Sequence, residues 1–182
     1  FETTQSVTKL WQPEGDTQIL VTENPSYKDL RHRRTVFFVD QTYYVIVDEA
    51  IGDAKGTVNL NYHFCEGTVN IDVKENVITT AYEGPSNVKL QCFPETEASL
   101  KEEEGWRSTA YRQRVPRTSL SFNVNKNNAE AVRYITIIYP VKDITKYPTL
   151  TAKFQNKGFD EKGVKVEVSV NGTARQLMSQ LK

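Results

Sequence analysis

Short runs of β-branched and aromatic residues follow one another closely along this chain, and no convincing long helix interrupts them. In Val164-Lys165-Val166-Glu167-Val168-Ser169-Val170 every second residue is apolar, which turns one face of a strand to a core and the other to water. Asn171-Gly172 ends that run. Both residues tolerate positive φ, so the pair predicts a tight hairpin with 173–178 as the returning strand, a short terminal helix being the alternative. With Thr173 the pair also matches an N-glycosylation sequon, but the hairpin turn is the reading preferred here. A second hairpin is expected from Thr35-Val36-Phe37-Phe38-Val39 and Tyr43-Tyr44-Val45-Ile46-Val47-Asp48, joined by Asp40-Gln41-Thr42. Further strands are expected over 57–64, 68–73, 77–82, 88–93, 119–125, 133–139 and 150–154. Of these, Tyr134-Ile135-Thr136-Ile137-Ile138-Tyr139 is apolar almost throughout, which suits a strand buried on both faces or one that meets a neighbouring domain. Ten or more short strands at this spacing predict an all-β fold, an antiparallel β-sandwich, as one domain over residues 1–182.

Composition narrows the function. Lys and Arg number 23, against 23 Asp and Glu, so a dedicated basic nucleic-acid module is excluded. Eight Phe, nine Tyr and two Trp are too many for a disordered segment. No apolar run approaches the roughly 18 residues of a membrane span, so no membrane insertion is expected. The chain starts at Phe1 without a signal-peptide core, which predicts a piece of a longer protein in preference to a processed one. Cys65 and Cys92 stand in strand-like runs and are expected to be small buried thiols, with a single bridge left open.

Zero net charge hides one asymmetry. Residues 95–104 hold five glutamates, and 105–117 hold Arg107, Arg112, Arg114 and Arg117 with no acid. The plain reading is a solvated excursion between strands with some Arg–Glu pairing. The functional reading is an anion-facing loop. A guanidinium can donate two parallel hydrogen bonds to a sulfate or carboxylate, and Trp106 and Tyr111 stand among the arginines as sugar-stacking rings. Arg107, Arg112 and Arg114 are the candidate substrate-binding residues.

The histidines are His32 and His63, and Asp48 lies between them. If the strands form a meander, adjacent strands about 5 Å apart each supply one of these groups. Two imidazoles and a carboxylate suit a divalent metal, zinc ahead of calcium. The alternative is a solvated His32 and a core His63. No GxSxG, HExxH or CxxC motif is present.

The series Thr22-Glu23-Asn24-Pro25-Ser26-Tyr27, His32-Arg33-Arg34-Thr35-Val36-Phe37-Phe38, Tyr43-Tyr44-Val45-Ile46-Val47-Asp48 and Tyr62-His63-Phe64 resembles the β-sheet domain of heparinase II/III-type polysaccharide lyases, closest to the heparinase III-like branch. Gly105-Trp106 with Ser108 and Tyr111, and Tyr139-Pro140, fit the same pattern. The resemblance implies a parent with an N-terminal α-helical toroid, a periplasmic or secreted location, and β-elimination on heparan sulfate or another anionic, uronate-containing polysaccharide. It implies a metal on His32, Asp48 and His63. It places the principal catalytic Tyr and Asn on the toroid, so no catalytic residue is expected in this chain, Tyr27 being the conceivable substitute for a sheet-derived histidine. The isolated domain is then expected to be inactive alone. A carbohydrate-binding module or a protein-interaction domain is the alternative.

Overall fold

The computed structural model describes residues 6–181, and among these it contains no helix. In chain order the strands are β1 (Val7–Gln12), β2 (Thr17–Tyr27), β3 (Leu30–Val39), β4 (Tyr43–Ile51), β5 (Gly56–His63), β6 (Val69–Asp72), β7 (Val77–Thr80) and β8 (Asn87–Pro94). They continue with β9 (Ser99–Glu103), β10 (Trp106–Arg107), β11 (Val115–Pro116), β12 (Ser119–Lys126), β13 (Val132–Val141), β14 (Leu150–Phe154), β15 (Lys165–Val170) and β16 (Thr173–Met178). Eight of them form one sheet in the order β1-β2-β3-β4-β13-β8-β7-β6. Two three-stranded sheets, β5-β12-β9 and β14-β15-β16, and the small ribbon β10-β11 complete the set.

Strand alternation decides the layers. Val21 of β2, Phe37 of β3, Val45 and Val47 of β4, and Ile135 and Ile137 of β13 share one core with Leu150, Val166, Val168 and Leu177 of the β14-β15-β16 sheet. Their strand neighbours point the other way. Ala50, Val132 and Tyr134, with Leu90 and Cys92 of β8, share a second core with Leu60, Leu100, Leu120, Phe122 and Val124 of the β5-β12-β9 sheet. The eight-stranded sheet is therefore a middle layer with a small sheet on each face. β13 lies within it, and its first six residues are all buried, as the unbroken apolar run predicts. Each large aliphatic side chain buried this way contributes about 1.5–3 kcal/mol.

Both predicted hairpins form. Val39 faces Tyr43 across the first, and Asn171 and Gly172 turn the second with φ of 50° and 83°. Residues 173–178 form a strand, not a helix.

The meander breaks after β4. The second neighbour of β4 is β13, and β5 leaves the sheet to pair with β12. Glycines make that departure possible. Gly52 has φ of +130°, and a Cβ there would stand 2.3 Å from the Asp29 carbonyl oxygen. The acidic stretch is also more structured than a solvated excursion. Ser99–Glu103 pairs with β12 and buries Leu100. Both cysteines are free. Cys92 is buried, and burial pushes its thiol up to about 12, whereas Cys65 is exposed, against expectation.

At one end of the first core the apolar contacts give way to charge. Arg33 and Arg133 are among the largest fully buried side chains. Arg33 Nε donates to Glu23 Oε1 at 2.7 Å, and Arg33 Nη1 donates to the Asp160 carbonyl at 3.0 Å. Arg133 Nε donates to Glu49 at 3.0 Å, its Nη1 donates to Glu95 at 3.0 Å, and its guanidinium lies 3.8 Å from the centre of the Phe154 ring. Burial holds the Glu49 carboxyl above its usual range even though Arg133 and Arg33 pull it down. Such a pair adds little net stability while complete, but breaking it leaves a buried charge uncompensated. Arg133→Met should therefore cost about 3–5 kcal/mol in urea unfolding. The double variant Arg133→Met, Glu49→Leu should recover most of that loss. A single-variant loss below about 1 kcal/mol contradicts the assignment.

Candidate functional site

The face of the middle sheet that carries the second core also carries a cleft. It has a volume of about 440 Å³ and opens between the β3–β4 end of the middle sheet and the edge of β5. Tyr27, His32, Arg34 and Asp48 line one side, and Asn59 and Asn61 line the other. Strand period places the charged groups. His32 and Arg34 are two apart on β3 and share a face, and Arg34 lies directly opposite Asp48 of β4.

Asp48 is the buried member of this group, with its side chain 4% exposed against 36% for His32 and 39% for Arg34. His32 Nε2 lies 2.6 Å from Asp48 Oδ1. Arg34 Nε donates to the same oxygen at 2.7 Å, and Arg34 Nη2 donates to Oδ2 at 3.1 Å. Both carboxylate oxygens are thus engaged in a forked ion pair. Behind them Tyr62 Oη is buried near Thr136 without a well-formed hydrogen bond. Burial, with Asp48 adding to it, raises this phenol well above its usual range.

The expected metal triad is not assembled. His32 and Asp48 meet, but His63 has left with β5 for the other layer, where its Nδ1 lies 2.8 Å from Ser119 Oγ. Among the described residues no three His, Cys, Asp or Glu side chains gather in a way that could hold an ion. Asp48 is held on both oxygens by Arg34, with His32 on one of them as well. As placed, these residues do not fit a three-ligand zinc or calcium site. The reason is topological: the triad needed β5 beside β4, and β13 occupies that position.

What the cluster offers instead is an imidazole oriented by a buried carboxylate, with one ring nitrogen held and the rest of the ring at the cleft. That is the arrangement of a proton-transfer group aligned by a third residue. Arg34 completes it as a cation beside the imidazole. Its signal in the sequence was its place two residues after His32 on a β-rich run, which puts both on one face.

The arginines expected to bind substrate stand elsewhere. Arg107, Arg112 and Arg114 lie on an exposed arm built on the β10-β11 ribbon, and none of them lines the cleft. Arg107 is paired with Glu66 at 2.5 Å. Arg114 stacks over Trp106 at 4.2 Å, and Arg112 lies 5.2 Å from the Tyr111 ring centre. The arm's root is tight: a Cβ on Gly105 would stand 1.9 Å from Ser119 Oγ.

Removing one partner tests the cluster. Arg34→Ala strands the buried Asp48 carboxylate with His32 alone, whereas Asp48→Asn leaves Arg34 and His32, both partly exposed, free to turn to water. Arg34→Ala should therefore cost more stability than Asp48→Asn, by about 1 kcal/mol or more in chemical denaturation. The reverse order contradicts the pairing described.

With this geometry in place, comparison with known proteins is direct. The family described as heparinase II/III-like, C-terminal, matches residues 2–153. A heparin-sulfate lyase of Bacteroides stercoris is 54% identical over 177 residues, which is 97% of this chain and 27% of that protein. The heparin-sulfate lyase of Bacteroides thetaiotaomicron is 37% identical, covering 90% of this chain and 24% of the relative. Among solved structures, a heparinase III gene product superposes with a TM-score of 0.96 at 57% identity, over 99% of this chain and 28% of its own. Heparan sulfate lyase HepC from Pedobacter heparinus gives 0.88 at 28% identity, over 98% of this chain and 28% of its own. The chain spans about a quarter of the length of these curated relatives. On the family match and the near-complete coverage of its own length, the chain belongs to the heparinase II/III-like C-terminal family.

Proposed function

We propose that this chain is the sheet-side wall of a lyase that cuts heparan sulfate or a related uronate-containing glycan by β-elimination, with His32 as a proton-transfer group. The observation that carries this reading is the contact of His32 with the buried Asp48 at the cleft between β3–β4 and β5. The elimination removes the C5 proton of the uronate and expels the C4 oxygen, so one group must accept a proton and another must donate one. An imidazole held by a carboxylate does either. Arg34, partly exposed beside it, supplies a cation for the substrate's carboxylate or sulfate. Asn59 and Asn61 supply donors and acceptors for sugar hydroxyls from the opposite edge.

The divalent ion implied by the family resemblance has no part in this proposal, because His63 stands apart from the His32–Asp48 contact and no three donors gather among the described residues. The remaining catalytic groups belong to the rest of the parent chain, which the relatives carry and these 182 residues do not span. A periplasmic or secreted location suits a polymer substrate too large and charged to cross a membrane. The exposed arm with Arg112 and Arg114 fits a second contact with the anionic chain, outside the cleft.

The test is turnover, followed by the absorbance of the unsaturated uronate product. The 182-residue chain alone should give none. In the full-length parent, His32→Ala should lower kcat by about 10²-fold or more, with folding intact by circular dichroism. Wild-type turnover in that variant removes His32 from the mechanism, and turnover by the isolated chain removes the need for the partner domain.

A further inference from the structure

The end strands of the three larger sheets are guarded unequally. β1 has Lys9 at a bulge, β6 is four residues long and ends on Asp72, and β9 carries Lys101, Glu102 and Glu103. Lys153 stands on β14 and Arg175 on β16. Charges, bulges and short length are what keep an open strand edge from pairing with another chain. β5 ends its sheet with none of these, for Gly56–His63 contains no Lys, Arg, Asp, Glu or Pro.

Register fixes which groups that edge presents. Phe64 N donates to the Thr118 carbonyl. Bonded and non-bonded pairs alternate along an antiparallel ladder. Tyr62, Leu60 and Val58 therefore bond to β12, and Asn61, Asn59 and Thr57 turn their N–H and C=O groups the other way. The far side of β12 keeps step: Arg117 N donates to the Gly105 carbonyl, which gives the odd-numbered residues of β12 to β9. β12 is the one sheet neighbour of β5, so the outward groups of Thr57, Asn59 and Asn61 meet no other strand. They face the cleft, where residues 57–61 form the wall across from His32 and Arg34.

We propose that this main-chain edge of β5 is a rail that positions the glycan against His32, through hydrogen bonds from the N–H and C=O groups of Thr57, Asn59 and Asn61 to sugar hydroxyls. A hydroxyl both donates and accepts, so it can meet either kind of group on the rail. The inward residues Val58 and Leu60 are committed to the second core, while Thr57, Asn59 and Asn61 are exposed. An added peptide strand would bury the partly exposed His32 and Arg34 beneath its own side chains, whereas a hydroxylated, anionic sugar chain gives them partners. The inference rests on the cleft being the glycan site, and adds main-chain groups to the side chains already named there.

Asn59→Pro deletes one rail N–H and leaves the β12 ladder whole, since an edge strand accepts proline where the nitrogen faces outward. Asn59→Ala removes the same side chain and keeps the N–H. In the full-length parent, KM should be about 3–10-fold higher for Asn59→Pro than for Asn59→Ala, with kcat alike in the two. Equal KM values in two variants that are both folded by circular dichroism overturn the proposal. Amide hydrogen exchange on the unsubstituted 182-residue chain makes the comparison without any variant. A saturating heparan sulfate oligosaccharide should slow the Thr57, Asn59 and Asn61 amides several-fold and leave Val58 and Leu60, already in the ladder, unchanged. Chemical shifts that move at His32 and Arg34 while the three outward amides exchange as before overturn the rail and leave the cleft reading standing. No response at either wall removes both. Outward amides already slow without oligosaccharide, together with dimers in sedimentation, assign the edge to a strand of a second copy and also overturn the rail.

Discussion

The middle sheet is apolar on both faces, and everything else in the molecule answers to that. A sheet with one apolar face needs one cover. This one needs two, and the chain supplies them from separate segments: β14–β16 for one side, and β5, β9 and β12 for the other. β13 can sit in the middle with six successive buried residues only because both covers exist. The same demand explains why β5 leaves β4. The second face would lose its cover if the chain stayed in the sheet, and Gly52 and Gly56 allow the exit.

Charge is buried where a cover ends. Arg33 and Arg133 close one end of the first core, and their carboxylate partners come from the middle sheet (Glu23, Glu49), from the β8–β9 loop (Glu95) and from the β14–β15 loop (Glu161) of the β14-β15-β16 layer. Stacking of Arg133 on Phe154 and of Arg33 over Phe159 ties that layer to the middle sheet with directional contacts that an aliphatic core lacks. On the opposite face, the Asp48–Arg34–His32 cluster is laid out by the same alternation but meets open space. One set of charges is sealed and holds layers together, and the other is accessible and can meet a ligand.

Much of the fold was legible in local pattern. Val39 meeting Tyr43, and the Asn171-Gly172 turn, follow from residue type and spacing alone. Pairing between distant strands was not legible, because nothing near β4 announces that β13 will lie beside it. That gap decided the site. His32 and Asp48 were drawn together by neighbouring strands of a true hairpin, whereas His63 was placed by a long-range pairing that ran the other way. Arg34 was hidden in a basic cluster whose members alternate between faces: Arg33 enters the sealed network and Arg34 enters the cleft. The arm's arginines were correctly found as a basic, aromatic excursion, but their stacking on Trp106 and Tyr111 and the pair with Glu66 depend on the fold of the ribbon.

The proposed function turns on whether an anionic, uronate-containing chain touches this surface, and where. Chemical-shift mapping of backbone amides during titration with a short heparan sulfate oligosaccharide answers that without requiring turnover. The account predicts the largest changes at His32, Arg34 and Asn59 to Asn61, with a second group around Arg112 and Arg114. Changes confined to other surfaces, with the His32–Asp48 cleft silent at saturating oligosaccharide, would contradict it.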